Sequence, residues 1–247
     1  MPAVINNMLI DIKKDPIGTA LLDYYHAAED TPIQVKMDIA EDDTLAPSYF
    51  FRTYEQCPDL EQLALQQAKG KVLDVGAGAG SHALYLQQQG LDVTALDVSP
   101  KSVEVMRLRG VNEPILMDFY DYQQGRFDTL MFLMNGIGLV QTLDGFSRLF
   151  QHAKKLLAPQ GQILLDSSDL IYMFEQEDGS YVIDLNETYH GEVEFNLSYK
   201  EVKGDAFNWL YVSEELLQDA AEENGFDCEI IQQGPHYDYL ARLTLRD

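Results

Sequence analysis

The sequence predicts an α/β fold, a mostly parallel sheet with helices on both faces, and three observations carry that reading. From Lys71 onward, short apolar runs alternate with helical patterns that are opened by caps and stopped by glycines. Residues 71–80 read KVLDVGAGAG, an apolar strand running into three glycines at alternate positions, where the chain turns sharply into a helix. Two strand patterns around Gly234-Pro235 close the chain as an antiparallel hairpin.

The elements follow in order. Asp15-Pro16 supplies a cap and a proline at the first helical position, and Ile17, Leu21, Tyr24 and Ala28 recur at helical spacing. Residues 29–47 mix acids, Thr and Pro and read as a loop or mobile segment. Residues 48–54 are dense in aromatics, and 59–69 form a second amphipathic helix stopped by Gly70. Strand 71–75 leads into helix 81–89, with Gly90 as its stop. Strand 91–97 follows, then a helix capped by Ser99-Pro100 and ended by Gly110. Strands 115–118, 127–134 and 162–168, with a helix at 144–157, complete the parallel part.

After Ser168 the rhythm changes. Residues 192–199 alternate polar and apolar, the pattern of an antiparallel strand with one wet face. Residues 181–187 and 206–212 are its expected partners, through turns at His190-Gly191 and Gly204-Asp205. Ser213 opens a helix that stops at Gly225, and 226–231 with 237–245 form the closing hairpin. The expected organisation is an N-terminal helical and lid segment, 1–69, and a main domain, 70–247, with a small antiparallel β insertion at about 171–212.

A chain of 247 residues can bury a sizeable core without disulfide or metal staples. Lys and Arg number 17 against 41 Asp and Glu, a net charge of -24, so the surface repels polyanions and a nucleic-acid partner is disfavoured. Cys57 and Cys228 stand apart, with no C-x-x-C and no Cys/His cluster to indicate a metal site. The N-terminus has no basic region before its brief apolar stretch, and no apolar run is long enough to span a bilayer, so a soluble, cytoplasmic protein is expected.

The glycine spacing separates two cofactor classes. A dinucleotide fingerprint, G-x-G-x-x-G, starting at Gly76 requires glycine at position 81, where Ser81 stands. Instead the third glycine is Gly80, and Asp74 precedes the first by two residues. This D-x-G-x-G-x-G run, together with the closing hairpin, resembles the class I S-adenosylmethionine (SAM) methyltransferases over residues 70–247. The resemblance implies a Rossmann-like seven-stranded sheet with SAM as cofactor. It implies that the backbone of Gly76, Ala77 and Gly78 lies against the methionine and ribose, and that Asp74 acts on the methionyl ammonium. Asp97 would accept from the ribose hydroxyls, with Val98 offering an apolar surface to adenine; Asp118 and the backbone N–H of Phe119 would meet the adenine edge and ring. Met134 ends the fourth strand as a candidate cofactor-binding residue, and Asn135 follows it where such enzymes place substrate-facing groups, a candidate for the methyl-transfer site. Upstream, Tyr49 and Arg52 lie where related enzymes have a lid, and Arg52 is the only Arg or Lys between Lys36 and Lys69, a candidate for the methionyl carboxylate.

Each residue also has a plain structural reading. Asp74 can cap the glycine loop, Asp97 can share the cap of the next helix with Ser99, and Asp118 can be a turn residue. Arg52 can be solvated beside a docked Tyr49, Phe50 and Tyr54, Asn135 can satisfy a Gly-rich turn, and His82 is either structural or a general base. The expected reaction is methyl transfer to a nitrogen, oxygen or carbon of a small molecule, with the N-terminal segment and the insertion closing over the crevice. The N-P-P-Y motif of amino-methylating nucleic-acid enzymes is absent, since Gly136 and Ile137 follow Asn135. An aminopropyl transferase, an NAD(P)-dependent oxidoreductase and a non-catalytic SAM-binding module are the alternatives.

Overall fold

The structure is a computed structural model that describes residues 9–176, 178–182 and 188–246. Asp15 accepts from the Gly18 N–H and Pro16 occupies the first helical position, which starts α1 (Pro16–Ala27) where the capping pattern places it. A hairpin of β1 (Ile33–Met37) and β2 (Ala40–Leu45) follows, then two 3-10 turns, Pro47–Phe51 and Tyr54–Gln56, and α2 (Asp59–Gln67). The alternating part runs β3 (Lys71–Val75), α3 (Ser81–Gln88), β4 (Asp92–Asp97), α4 (Pro100–Arg109), β5 (Ile115–Leu116), β6 (Phe127–Phe132), α5 (Phe146–Leu156) and β7 (Leu157–Ser168). The chain then forms β8 (Glu192–Tyr199), β9 (Val202–Lys203), β10 (Phe207–Leu210), α6 (Glu214–Glu223), β11 (Phe226–Gln233) and β12 (Asp238–Leu245).

Seven strands make one sheet in the order β11-β12-β7-β6-β3-β4-β5. β3 pairs in parallel with both β4 and β6, while β12 is antiparallel to both β7 and β11. The order reverses at β3, so the crevice beyond its C-terminal end is the switch point where open α/β sheets bind ligands. Neighbouring residues of β3 serve opposite faces. Val72 packs with Leu86, Val103 and Met106, whereas Leu73 and Val75 pack with Phe132, Phe150 and Phe226. Both faces are covered, which is why the strand reads as a continuous apolar run. The third predicted strand shrinks to Ile115–Leu116 because Asp118 opens a 3-10 turn by accepting from the Tyr120 N–H.

The second sheet corrects the sequence reading. Residues 29–47 were expected to be loop or mobile, yet they contain β1 and β2, and the N-terminal segment is not solely helical. This sheet has the order β10-β8-β1-β2, with β9 also on β8. β1 reads I-Q-V-K-M, a period-two pattern whose Ile33 is fully buried and packs with Val193, Phe195 and Leu197 of β8. β2 is acidic and solvent-facing, as suits a protected sheet edge. The partners of β8 are therefore β1 and β10. Of the expected partner strand 181–187, Tyr181 forms one bridge to Glu175, and residues 183–187 lie outside the described residues. Among the described residues no helix is long and apolar enough to cross a membrane.

Candidate functional site

The glycine loop is pinned from below by β4. Gly76 and Ala77 donate their N–H groups to the Leu96 carbonyl at 2.8 and 3.0 Å, and Gly78 donates to Asp97 Oδ2 at 2.8 Å. Asp97 Oδ1 accepts from the Ser99 N–H at 2.8 Å, so one carboxylate ties the loop to the start of α4. Each oxygen keeps a second acceptor site. The three glycines have φ of 74, 56 and 79°, but their surroundings differ. A Cβ at Gly76 would meet nothing within 4 Å, one at Gly78 would lie 3.5 Å from Phe50, and one at Gly80 would come within 2.6 Å of Val111. Gly76 leaves room above the loop, Gly78 lies under Phe50 at contact distance, and Gly80 lets the loop pack on α4.

Asp74 is 2 % exposed and its Oδ2 has no hydrogen-bond partner. Burial pushes its carboxyl up to about 6, against the His82 charge and the Ala83 N–H. Burial likewise raises Asp97 to about 6. Asp118 is nearly enclosed with Oδ1 on the Tyr120 N–H, and the Phe119 ring is core, edge-on to Phe132 and His152, so the ring is not available to a ligand. Val98 is half-buried, and its carbonyl accepts from Ile10 at 3.0 Å, which brings the N-terminal segment to the edge of the crevice.

The segment that precedes α2 is fastened by charge. Arg52 Nη2 binds both oxygens of Glu61 at 2.8 and 2.9 Å, and its guanidinium lies 3.5 Å from the centre of the Tyr49 ring. His82 Nε2 meets Glu61 Oε2 at 2.8 Å. Burial opposes the His82 charge, but Cys57, Glu61 and Asp74 outweigh it and lift the imidazole to about 10. An imidazolium at neutral pH has no lone pair with which to take a proton, so the general-base reading of His82 gives way to a structural one. Glu61 is held below the usual carboxylate range, because His82 and Arg52 overcome its burial. Cys57, Glu61 and His82 bring ligand-type atoms within 4.8 Å of one another, but the Arg52 guanidinium already supplies the cation at Glu61. The reading of Arg52 as solvated also fails: its side chain is 12 % exposed and its buried Nε has no partner. The same segment reaches the glycine loop directly, since Ser81 Oγ donates to the Phe50 carbonyl at 2.7 Å.

At the end of β6, Met134 and Asn135 have φ of 58 and 56°, left-handed conformations that non-glycine residues adopt under constraint. The constraint is Asp166 on β7, whose two oxygens accept from Met134 N at 3.2 Å and Asn135 N at 2.8 Å. Burial lifts Asp166 to about 7. Both ends of the Asn135 amide are occupied: Nδ2 donates to the Leu210 carbonyl and Oδ1 accepts from Ser167 Oγ. Trp209 Nε1 donates to the Asn135 carbonyl at 2.9 Å, and a Cβ on Gly138 would strike the indole. Asn135 is thus the fastening between the two sheets rather than a free polar group of the crevice. The sequence reading missed Glu61, Asp166 and Trp209; Asp166 had a signal, as another acid near a strand end in I-L-L-D-S-S.

Two buried polar atoms are left unpaired here, an acceptor at Asp74 and a donor at Arg52, and both neighbour the same Glu61–His82 pair. That combination suits the ammonium and carboxylate of an α-amino acid.

A family model described as a methyltransferase domain matches residues 50–230. The crystal structure of a SAM-dependent methyltransferase from Bacteroides fragilis in complex with S-adenosyl-L-homocysteine is 44 % identical, covers 98 % of this chain and 99 % of that chain, and has a TM-score of 0.92. The putative methyltransferase YqeM of Bacillus subtilis is 25 % identical over 40 % of this chain and 42 % of its own length. A ubiquinone biosynthesis O-methyltransferase of Xanthomonas oryzae pv. oryzae is 26 % identical over 44 % of this chain and 47 % of its own. The chain thus spans under half the length of these curated relatives.

Proposed function

Because the chain belongs to the SAM-dependent methyltransferase family, we propose that it binds SAM beyond the ends of β3 and β4 and directs the methyl group to a small molecule. The observation that carries this reading is the pair of unpaired buried atoms, Asp74 Oδ2 and Arg52 Nε. Asp74 would take the methionyl ammonium and Arg52 the carboxylate, so that each orphan gains a charge-assisted partner. The open space above Gly76 admits the cofactor close to the backbone. The remaining acceptor sites on Asp97 suit the ribose hydroxyls, Val98 flanks the adenine, and Asp118 with the Phe119 N–H reads its edge.

SAM supplies a methyl group already activated on a sulfonium, so the protein has to align the acceptor and exclude water. Asp166 serves alignment by fixing the Met134–Asn135 turn at the crevice wall. Arg52, Tyr49 and Phe50 serve exclusion by covering the loop. None of these tasks requires His82 to accept a proton. A net charge of -24 favours a neutral or cationic small acceptor over a polyanion. Titration calorimetry of the full chain with SAM should give saturable 1:1 binding that Asp97→Ala weakens at least about tenfold. Folded wild-type protein that binds no SAM, or an Asp97→Ala variant that binds it unchanged, contradicts the reading.

A further inference from the structure

Beyond the end of β7, residues of both sheets and the loops beside them line a half-open cavity of about 340 Å³. Met37, Leu170, Tyr172 and Tyr211 form its apolar walls, and Ser168 and Asp238 lie at its polar end with His236. Ser168 follows by two residues the Asp166 carboxylate that holds the Met134–Asn135 turn, so the cavity opens at the same strand-end edge as the crevice. Burial keeps the Tyr211 phenol neutral, with its pKa pushed up to about 12.

The cavity has an aromatic rim. Tyr172 stacks on Tyr237 with centroids 5.6 Å apart, and the Tyr237 and Tyr181 hydroxyls meet at 3.3 Å. These three tyrosines are 43, 48 and 44 % exposed, in that order, although they form one continuous surface. Tyr237 has φ of 59°, a conformation that a bulky residue adopts only when its surroundings impose it. No arginine or lysine lines the cavity among the described residues, whereas Asp238 does. A second cavity, of about 330 Å³, shares Asp238 with the first and is lined by Tyr237, Asp169, Glu214 and Glu215. Aromatic faces beside carboxylates, with no arginine or lysine to oppose them, are the surroundings that favour an ammonium group and disfavour a carboxylate or phosphate.

We propose that the tyrosine-lined cavity is the acceptor site and that the acceptor is a primary or secondary amine on an apolar body, drawn in as its ammonium form. The inference rests on the methyltransferase reading. The ammonium gives up one proton to solvent at the cavity mouth, and the freed nitrogen lone pair forms the new C–N bond. The S–C bond breaks with its electron pair left on sulfur, and the positive charge passes from sulfonium to the methylated nitrogen.

The test uses the full chain loaded with S-adenosyl-L-homocysteine and three probes of one shape: 2-phenylethylamine, 2-phenylethanol and 3-phenylpropanoate. Calorimetry should show the amine binding at least about tenfold more tightly than the alcohol, with the carboxylate weakest. Tyr172→Ala and Asp238→Asn should each erase most of that preference and leave affinity for S-adenosyl-L-homocysteine unchanged. Tyr172 is exposed enough that its variant retains the fold even where Asp238→Asn disturbs the turn before β12. Equal or tighter binding of the alcohol or the carboxylate, no saturable amine binding, or an amine preference that survives Tyr172→Ala overturns the proposal while the methyltransferase reading stands. Failure of the wild-type chain to bind S-adenosyl-L-homocysteine removes both.

Discussion

The two sheets of this protein are built by different rules. In the seven-stranded sheet each parallel strand lies within a few tens of residues of its neighbour, and local pattern decides its place: β3, α3 and β4 follow directly in sequence. The five-stranded sheet joins segments from the two ends of the chain, Met37 opposite Phe195 and Val35 opposite Leu197. Its strands are short and half-wet, and their partners cannot be inferred from their neighbours in sequence. The first sheet carries the glycine loop, and the second supplies Trp209 and Tyr211 around the crevice. A glycine loop specified by local sequence thus sits beside walls that long-range pairing assembles.

The comparison breaks first where the loop packs most tightly. Gly80→Val sets a branched side chain at φ 79°, with the first carbon already 2.6 Å from Val111, and should cost more than about 4 kcal/mol, read as loss of the cooperative transition in urea. The matching test of the second sheet is Ile33→Ala, which empties a fully buried position and should cost about 3 kcal/mol. A cost below about 1 kcal/mol would mean that β1 is a loosely attached cover instead of part of the core. Glu61→Gln leaves Arg52 and His82 without their shared anion and should cost about 3 kcal/mol, with the His82 pKa falling toward its ordinary value by NMR titration. Trp209→Phe removes one hydrogen bond between the sheets and should cost about 1 kcal/mol, with a matching rise in hydrogen exchange at β10.

The pH dependence distinguishes the same regions. Asp74, Asp97 and Asp166 have folded pKa values raised to about 6, 6 and 7, so the folded state holds more protons than the unfolded one and their contribution to stability declines as pH rises from about 4 through 7. His82, raised to about 10, contributes stability that is complete below its unfolded value near 6.5 and is lost as pH rises through 10. Asp74 must be ionised to hold an ammonium, so affinity for SAM should increase between pH 5 and 7 with a midpoint about 6. A flat profile in wild-type protein would remove Asp74 from the site.

Much of the first sheet was legible because its signals are local. Ser99, Ser213 and Asp15 each cap the helix that follows, and Gly110 ends α4 in the left-handed conformation. Asp74, Asp97 and Asp118 stand at successive strand ends, where a single sequence suffices to place them. Glu61 was not legible, because a glutamate in the first turn of an amphipathic helix has the pattern of a solvated residue; only tertiary packing buries it between Arg52 and His82. The hairpin β1–β2 was obscured by the acids of β2, which mark an exposed edge rather than a loop. Asn135 was visible as a residue of interest, but its role depended on Trp209 and Leu210, more than seventy residues further on.

The central claim is that Asp74 Oδ2 and Arg52 Nε wait for the two charges of an amino acid. Calorimetry comparing S-adenosyl-L-homocysteine with 5′-methylthioadenosine, which lacks that amino-acid half, tests it most directly. The account predicts that wild-type protein prefers S-adenosyl-L-homocysteine by at least about 100-fold and that Asp74→Ala removes most of the preference. Equal affinity for the two ligands, or a preference untouched by Asp74→Ala, would contradict it.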